Sequence, residues 1–106
     1  MDISDWRKKI DDVDRRMAAL LNERAAAVIE IGKLKAIAHL PIYEPNREED
    51  VIANVQSHSK GPLGGRDLAK IYERLLDVMR SIQGNEISPN PNLTGRETGI
   101  DPRVED

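Results

Sequence analysis

The stretch that decides the fold is "ERAAAVIEIGKLKAIAHLPIYEPNRE", residues 23–48. As a helix it places Arg24 within a stripe of apolar and small side chains. Lys35, eleven residues further on, lies on nearly the same face, because eleven residues make about three helical turns. Pro41 ends such a helix, since proline cannot continue it and pushes Leu40 into an extended conformation. The stretch therefore predicts a helix that carries two cations on the side where packing favours apolar residues.

The apolar stripe continues toward the N-terminus in steps of four and three residues, the spacing of a helix that packs along another helix. It runs through Trp6, Ile10, Val13, Met17, Leu20, Ala27, Ile31, Leu34 and Ala38. We predict one long helix over residues 4–38, capped by Ser4 or Asp5. Such a helix is roughly 52 Å long. A compact domain of about 100 residues has a radius of gyration of about 13 Å, so its diameter is well below that length. The helix must therefore extend beyond its own fold and expose part of the apolar stripe. A second copy is needed to cover the stripe, so we predict an intertwined homodimer.

Two shorter helices follow the long one. Pro45 at a first helical position, with acidic residues in the opening turns, predicts a helix over residues 45–57. The segment "SHSKGPLGG" is a break. Apolar residues at helical spacing then predict a third helix over residues 67–83, with Gly84 as its stop signal. They are Leu68, Ile71, Leu75, Val78 and Ile82.

No segment alternates like a β-strand, so the predicted fold class is all-α, with three helices per chain. Residues 1–84 form one predicted helical domain. Residues 85–106 contain three prolines and few apolar side chains, and we predict a polar, disordered tail.

Composition argues against several classes of protein. Charged residues make up 33% of the 106, with both signs interspersed and a net charge of −3, so a nucleic-acid surface is not expected. The chain has no cysteine, and His39 and His58 each lack a second ligand at metal spacing, so we predict neither a metal nor a cofactor. No apolar run approaches the ~18 residues of a membrane span. We expect a soluble cytoplasmic protein.

Polar side chains interrupt the apolar faces at four places. Arg24 and Lys35 lie roughly 16 Å apart along the helix axis, close enough for two long side chains to hold one small molecule. Glu48 sits in the opening turn of the second helix, and Gln83 continues an apolar line on the third. Arg7, about 25 Å from Arg24 along the same rod, reaches that ligand only from an antiparallel partner.

Each of these residues also has a purely structural interpretation. Arg24 would form an ion pair with a carboxylate across the interface and fix the register of the helices. Lys35 and Arg7 would be solvated surface cations. Glu48 would compensate the helix dipole, and Gln83 would bond to water at a helix end.

Four motifs in order favour the ligand-binding interpretation. They are "RKKIDDVD", "LLNER", "IGKLK" and "PIYEPNRE". Together they resemble the all-helical (type II) chorismate mutases, whose pattern is R-x-x-I-D-x-x-D, L-L-x-x-R, I-G-x-x-K and P-[IV]-x-[DE]-x-x-R-E. The resemblance covers residues 4 to about 84. It implies three helices per chain, two intertwined chains and two identical active sites.

The resemblance also implies roles for individual residues. The carboxylate-binding arginines correspond to Arg24 and, from the partner chain, Arg7, and the lysine that meets the substrate's ether oxygen corresponds to Lys35. The other matching positions are Glu44, Arg47, Glu48 and Gln83. Two residues depart from the commoner pattern: Glu44 replaces Asp, and Met79 replaces a Ser of some members. We expect Met79 to weaken substrate binding without abolishing the chemistry.

A chorismate mutase converts chorismate to prephenate by a Claisen rearrangement, in which no proton moves and no covalent intermediate forms. The predicted function is therefore this isomerisation, in phenylalanine and tyrosine biosynthesis. One alternative is an isochorismate pyruvate lyase, which resembles the mutases in fold and uses a similar cationic site. Another is a non-catalytic dimeric regulatory module, which would be expected to lose Arg24, Lys35 or Gln83.

Overall fold

The computed structural model describes residues 1–87, and these form three helices joined by two short connections. The helices are α1 (Ile3–Ala38), α2 (Pro45–His58) and α3 (Gly65–Ile87). No strand occurs in this part of the chain, so the predicted all-α class with one long and two shorter helices is confirmed. The predicted disordered tail, residues 85–106, is wrong for residues 85–87, which belong to α3, and the rest of it lies outside the described residues from Ser88 onward.

The residue that caps the start of α1 is not one of those predicted. Asp2 is the N-cap, and its carboxylate accepts a hydrogen bond from the backbone N–H of Asp5 at 2.9 Å. The Asp5 carboxylate in turn accepts from the Asp2 N–H at 3.1 Å. The prediction that Ser4 or Asp5 caps the helix was therefore wrong, because a reciprocal capping box places the cap three residues before Asp5.

The end of α1 agrees with the prediction, and it sets the direction of the chain into the site. His39 adopts a left-handed conformation with φ 58°, and the Leu40 N–H bonds to the Lys35 carbonyl at 2.9 Å. This arrangement satisfies carbonyls of the last helical turn. Pro41 follows at once, so the chain turns and starts α2 at Pro45.

α3 is longer than predicted. It passes through Gly84 and ends at Ile87, so the prediction that Gly84 stops the helix was wrong. A Cβ on Gly84 would meet the Ile42 side chain at 3.6 Å, an ordinary van der Waals distance. The glycine therefore lies where α3 packs against the connection between α1 and α2, and this packing outweighs the local stop signal.

α3 packs against both other helices, whereas α1 and α2 barely touch each other. The buried apolar residues are Val51, Leu76 and Met79. Leu76 and Met79 precede Gln83 on the apolar line that Gln83 was predicted to continue, whereas Ile71 and Val78 are exposed in the single chain. The side of α3 that carries Leu76 and Met79 faces α1 and α2.

α1 projects beyond the rest of the chain. The molecule extends 53 Å along its longest axis, and its radius of gyration is 16.4 Å, against about 13 Å for a compact domain of similar size. Most large apolar side chains of the predicted stripe are exposed, among them Trp6, Ile10, Met17, Leu20, Ile31 and Leu34. Within residues 1–87, no helix has the length and apolar character needed to cross a membrane.

Candidate active site

The three helices enclose a cleft of ≈ 410 Å³ beside the second half of α1. Its walls combine apolar side chains from all three helices with six charged groups. The lining residues are Arg24, Ala27, Val28, Ile31, Lys35, Ile42, Glu44, Arg47, Glu48, Val51, Leu76, Met79, Arg80 and Gln83. Seven of the eight residues singled out from the sequence therefore face one cavity, and Arg7 does not line it.

Lys35 lies at the end of this cleft where the chain leaves α1. It is only 9% exposed, so it is not the solvated helix-end cation of the structural interpretation. Its ammonium donates to the Ile42 carbonyl at 2.9 Å and lies 2.7 Å from a Glu44 carboxylate oxygen. Since a buried ammonium needs partners, these two contacts hold the connection and the start of α2 against α1.

Glu44 is the N-cap residue of α2, but its side chain does not cap that helix. The carboxylate turns toward Lys35 instead. The Glu44 backbone carbonyl still accepts the first helical hydrogen bond, from the Glu48 N–H at 3.0 Å. Glu44 thus contacts Lys35 of α1 through its side chain and the first turn of α2 through its backbone.

Arg24 and Arg47 face the cleft from α1 and α2. Among the residues that the structure describes, neither has a carboxylate within ion-pair distance. Both also line a smaller adjoining cavity of ≈ 290 Å³, to which Val51 and Tyr72 contribute. That side of the cleft is therefore open next to the two arginines.

Glu48 and Arg80 form the second ion pair of the cleft, between α2 and α3. The guanidinium of Arg80 also pairs with Asp77 one turn earlier, and it stacks on the Tyr43 ring at 4.7 Å from the centroid. The hydrogen bond with Glu48 raises the pKa of Arg80, although burial opposes this shift, so Arg80 is a permanent cation of the site.

Arg80 and Tyr43 were not predicted from the sequence to belong to the site. Arg80 comes one residue after Met79 and three before Gln83, a spacing that places it next to the same face of α3. Its partner Glu48 is 32 residues away in the sequence, and no local pattern joins the two. The local signals available were this position and the i,i+3 spacing of Asp77 and Arg80.

Gln83 and Met79 line the α3 side of the cleft and are both buried, at 6% and 5% exposure. The Gln83 amide donates to the Val28 carbonyl of α1 at 3.0 Å. Because α3 continues beyond it, Gln83 is not the water-bonded helix-end residue of the structural interpretation. This bond joins α3 to α1 at a residue that lies between Arg24 and Lys35 in the sequence.

The arrangement suits a small anionic ligand. Four cationic groups and two carboxylates line the cleft, and the carboxylates pair with Lys35 and Arg80. Within residues 1–87, no group of three or more histidine or carboxylate side chains is arranged to hold a metal ion. The chemistry that these residues offer is charge pairing and hydrogen-bond donation to a bound molecule.

Comparison with known families identifies the family to which the chain belongs. A family model described as chorismate mutase type II matches residues 6–84. The chain belongs to the type II chorismate mutase family. The resemblance drawn from the four sequence motifs is thus confirmed, and the cleft lies within the matched range.

Relatives in the family are mostly larger proteins. A bifunctional chorismate mutase/prephenate dehydratase of Aquifex aeolicus is 33% identical over 86 residues, which are 77% of this chain and 24% of that protein. The T-protein of Enterobacter agglomerans is 38% identical over 80 residues, 76% of this chain and 21% of that protein. The chain thus spans less than a quarter of the length of these relatives.

A solved structure supports the same fold. The crystal structure of chorismate mutase from Helicobacter pylori in complex with prephenate superposes with a TM-score of 0.76 at 25% identity. The match covers 83% of this chain and 96% of that chain. The three-helix arrangement therefore corresponds to a complete chain in that relative.

The contact between Lys35 and Glu44 predicts how the stability of the fold responds to mutation. Glu44→Ala leaves a nearly buried ammonium with a single carbonyl partner, so we expect the free energy of unfolding to fall by about 1–2 kcal/mol. Urea unfolding at one fixed protein concentration measures this change.

Glu30→Ala is the matched control for Glu44→Ala. The Glu30 carboxylate lies 3.1 Å from Lys33 on the exposed side of α1, and its loss should change stability by less than about 0.5 kcal/mol. Equal changes in the free energy of unfolding for the two variants would show that the buried Lys35 does not need Glu44 as a partner.

Proposed function

We propose that the chain is a chorismate mutase that rearranges chorismate to prephenate, acting as a cytoplasmic homodimer. The observation that carries the proposal is the charge balance of the cleft. Lys35 and Arg80 already have carboxylate partners, whereas Arg24 and Arg47 have none among the described residues. Within one chain the cleft therefore has an excess of two positive charges, which favours the binding of a molecule with carboxylate groups.

The reaction needs positioning and charge stabilisation. Chorismate must fold so that its side chain lies over its ring, and its ether oxygen gains negative charge as the C–O bond breaks and a C–C bond forms. Arginines that clamp the two carboxylates hold the substrate in this shape. Donors aimed at the ether oxygen then stabilise the charge that develops there.

Lys35 and Gln83 are the proposed donors to the ether oxygen. The Lys35 ammonium has three N–H groups, and two of them meet Ile42 and Glu44. The Gln83 amide has two N–H groups, and one meets the Val28 carbonyl. Each side chain therefore keeps one donor for a ligand while its other contacts fix its orientation. Glu48, which also faces the cleft, is the proposed acceptor for the ring hydroxyl.

The dimer belongs to the same proposal. The apolar stripe of α1 is largely exposed in the single chain, and a second α1 running antiparallel would cover it. The same packing would bring Arg7 of the second copy to the open side of the cleft, beside Arg24 and Arg47. Arg7 would then complete the set of groups that bind the two carboxylates.

Turnover of chorismate tests the function directly. We expect the purified chain to produce prephenate, and Lys35→Met to lower kcat about 10²–10³-fold, the usual loss for one transition-state donor. The assay follows the disappearance of chorismate by absorbance and identifies the product by chromatography.

Lys33→Met is the matched control for Lys35→Met. Lys33 lies two residues away on the same helix and is exposed, so its loss should leave kcat and KM within about twofold. A wild-type chain that leaves chorismate unchanged would contradict the proposal. Formation of salicylate and pyruvate from isochorismate, without mutase activity, would favour the lyase of the same fold instead.

Gln83 predicts a specific pH dependence. An amide donates at every pH, whereas a carboxyl group in its place donates only when protonated. We expect Gln83→Glu to be nearly inactive at neutral pH and to recover activity as the pH falls. Rate measurements across the pH range should show this slope for Gln83→Glu and not for Gln83→Leu, which has no donor at any pH. A flat profile for Gln83→Glu would remove Gln83 from the proposed role.

A further inference from the structure

Arg80 is the one charged residue of the cleft to which neither the sequence motifs nor the proposed mechanism gives a role. Its side chain is 29% exposed and reaches three parts of the fold. It pairs with Glu48 on α2 and with Asp77 on its own helix, and it stacks on Tyr43 in the connection after α1. These contacts hold the guanidinium in one orientation at the side of the cleft.

Glu48 creates a difficulty for a site that binds a dianion. An ionised carboxylate in the cleft repels the two carboxylates of the substrate. It also competes with them for the cations next to it, of which Arg47 is its neighbour in the sequence and Arg24 lines the same cavity. Glu48 is useful as an acceptor only if another cation neutralises it and holds it in place.

We propose that Arg80 is a positioning residue that neutralises Glu48 and so leaves Arg24 and Arg47 to the substrate. The inference rests on the proposed function, since it assigns the two arginines to the carboxylates of chorismate. Arg80 acts through Glu48 and has no contact with the reacting atoms. Asp77 and Tyr43 contribute by fixing the guanidinium where it meets the Glu48 carboxylate.

A positioning role for Arg80 and an ion pair that only stabilises the fold predict different effects of mutation. Both side chains of the pair are partly exposed, so water can solvate the Glu48 carboxylate when Arg80 is removed, and the methionine used below keeps most of the apolar stem of the arginine. Loss of Arg80 should therefore leave the fold intact and weaken the substrate complex. The defect should depend on the charge of Glu48, because an uncharged residue at that position needs no counter-ion.

A double-mutant cycle separates these effects. Arg80→Met in the wild-type background is expected to lower kcat/KM for chorismate roughly 10–100-fold, mainly through a higher KM. In the Glu48→Gln background the same Arg80→Met change is expected to lower kcat/KM by less than about threefold. The steady-state kinetics of all four proteins are compared at one pH and one ionic strength.

Two further variants control for charge and for the shared partner Asp77. Arg80→Lys keeps a positive charge next to Glu48 and should retain kcat/KM within about fivefold of the wild type. Arg74→Met removes the other cation of Asp77, an exposed arginine of α3 whose guanidinium lies 4.0 Å from that carboxylate. It should leave the kinetics unchanged.

The outcomes distinguish this inference from the function on which it rests. Equal losses from Arg80→Met in both backgrounds would overturn the inference, since Arg80 would then act independently of Glu48. An Arg80→Lys variant as impaired as Arg80→Met would overturn it as well. A wild-type chain without mutase activity overturns the proposed function, and with it this role, whereas an active wild type with additive losses overturns this role alone.

Discussion

The length of α1 is the constraint on which the rest of the structure depends. A helix of 36 residues cannot be covered by α3, which packs against it but has only 23 residues, or by the 14 residues of α2, which barely touch it. The buried residues of α1 are Gly32 and Lys35, and no side chain among residues 1–87 is completely buried. Since apolar burial is the main favourable term in folding, the exposed stripe favours packing against a second surface, and the second copy that we propose would supply one with the same spacing.

The same helix also determines the charge of the cleft. Lys35 is held by Ile42 and Glu44, and these contacts fix the point at which α2 begins. The first turn of α2 then presents Arg47 and Glu48 to the cavity. An anionic ligand would offset the excess of positive charge in the cleft, and the protein gains stability when such a ligand binds the folded state alone.

Much of this fold could be predicted from local patterns. The periodicity of the apolar residues and Pro41 located α1, and helix geometry placed Arg24 and Lys35 on one side. Pro45 located the start of α2. These features depend on residues within a few turns of one another, so the sequence carries them directly.

The features that were mispredicted depend on contacts between distant parts of the chain. Gly84 resembles a helix end, but packing against Ile42 lets α3 continue. The ion pair of Arg80 and Glu48 joins residues 32 positions apart, and no motif indicated it.

Complementation between two inactive variants tests most directly whether two copies build the site. Arg7→Ala and Arg24→Ala are each expected to be nearly inactive. When the two are unfolded and refolded together, half of the dimers are mixed, and each mixed dimer has one site with both arginines. The account predicts about one quarter of the wild-type activity in this mixture. Activity no higher than that of the separate variants would contradict a site shared between chains.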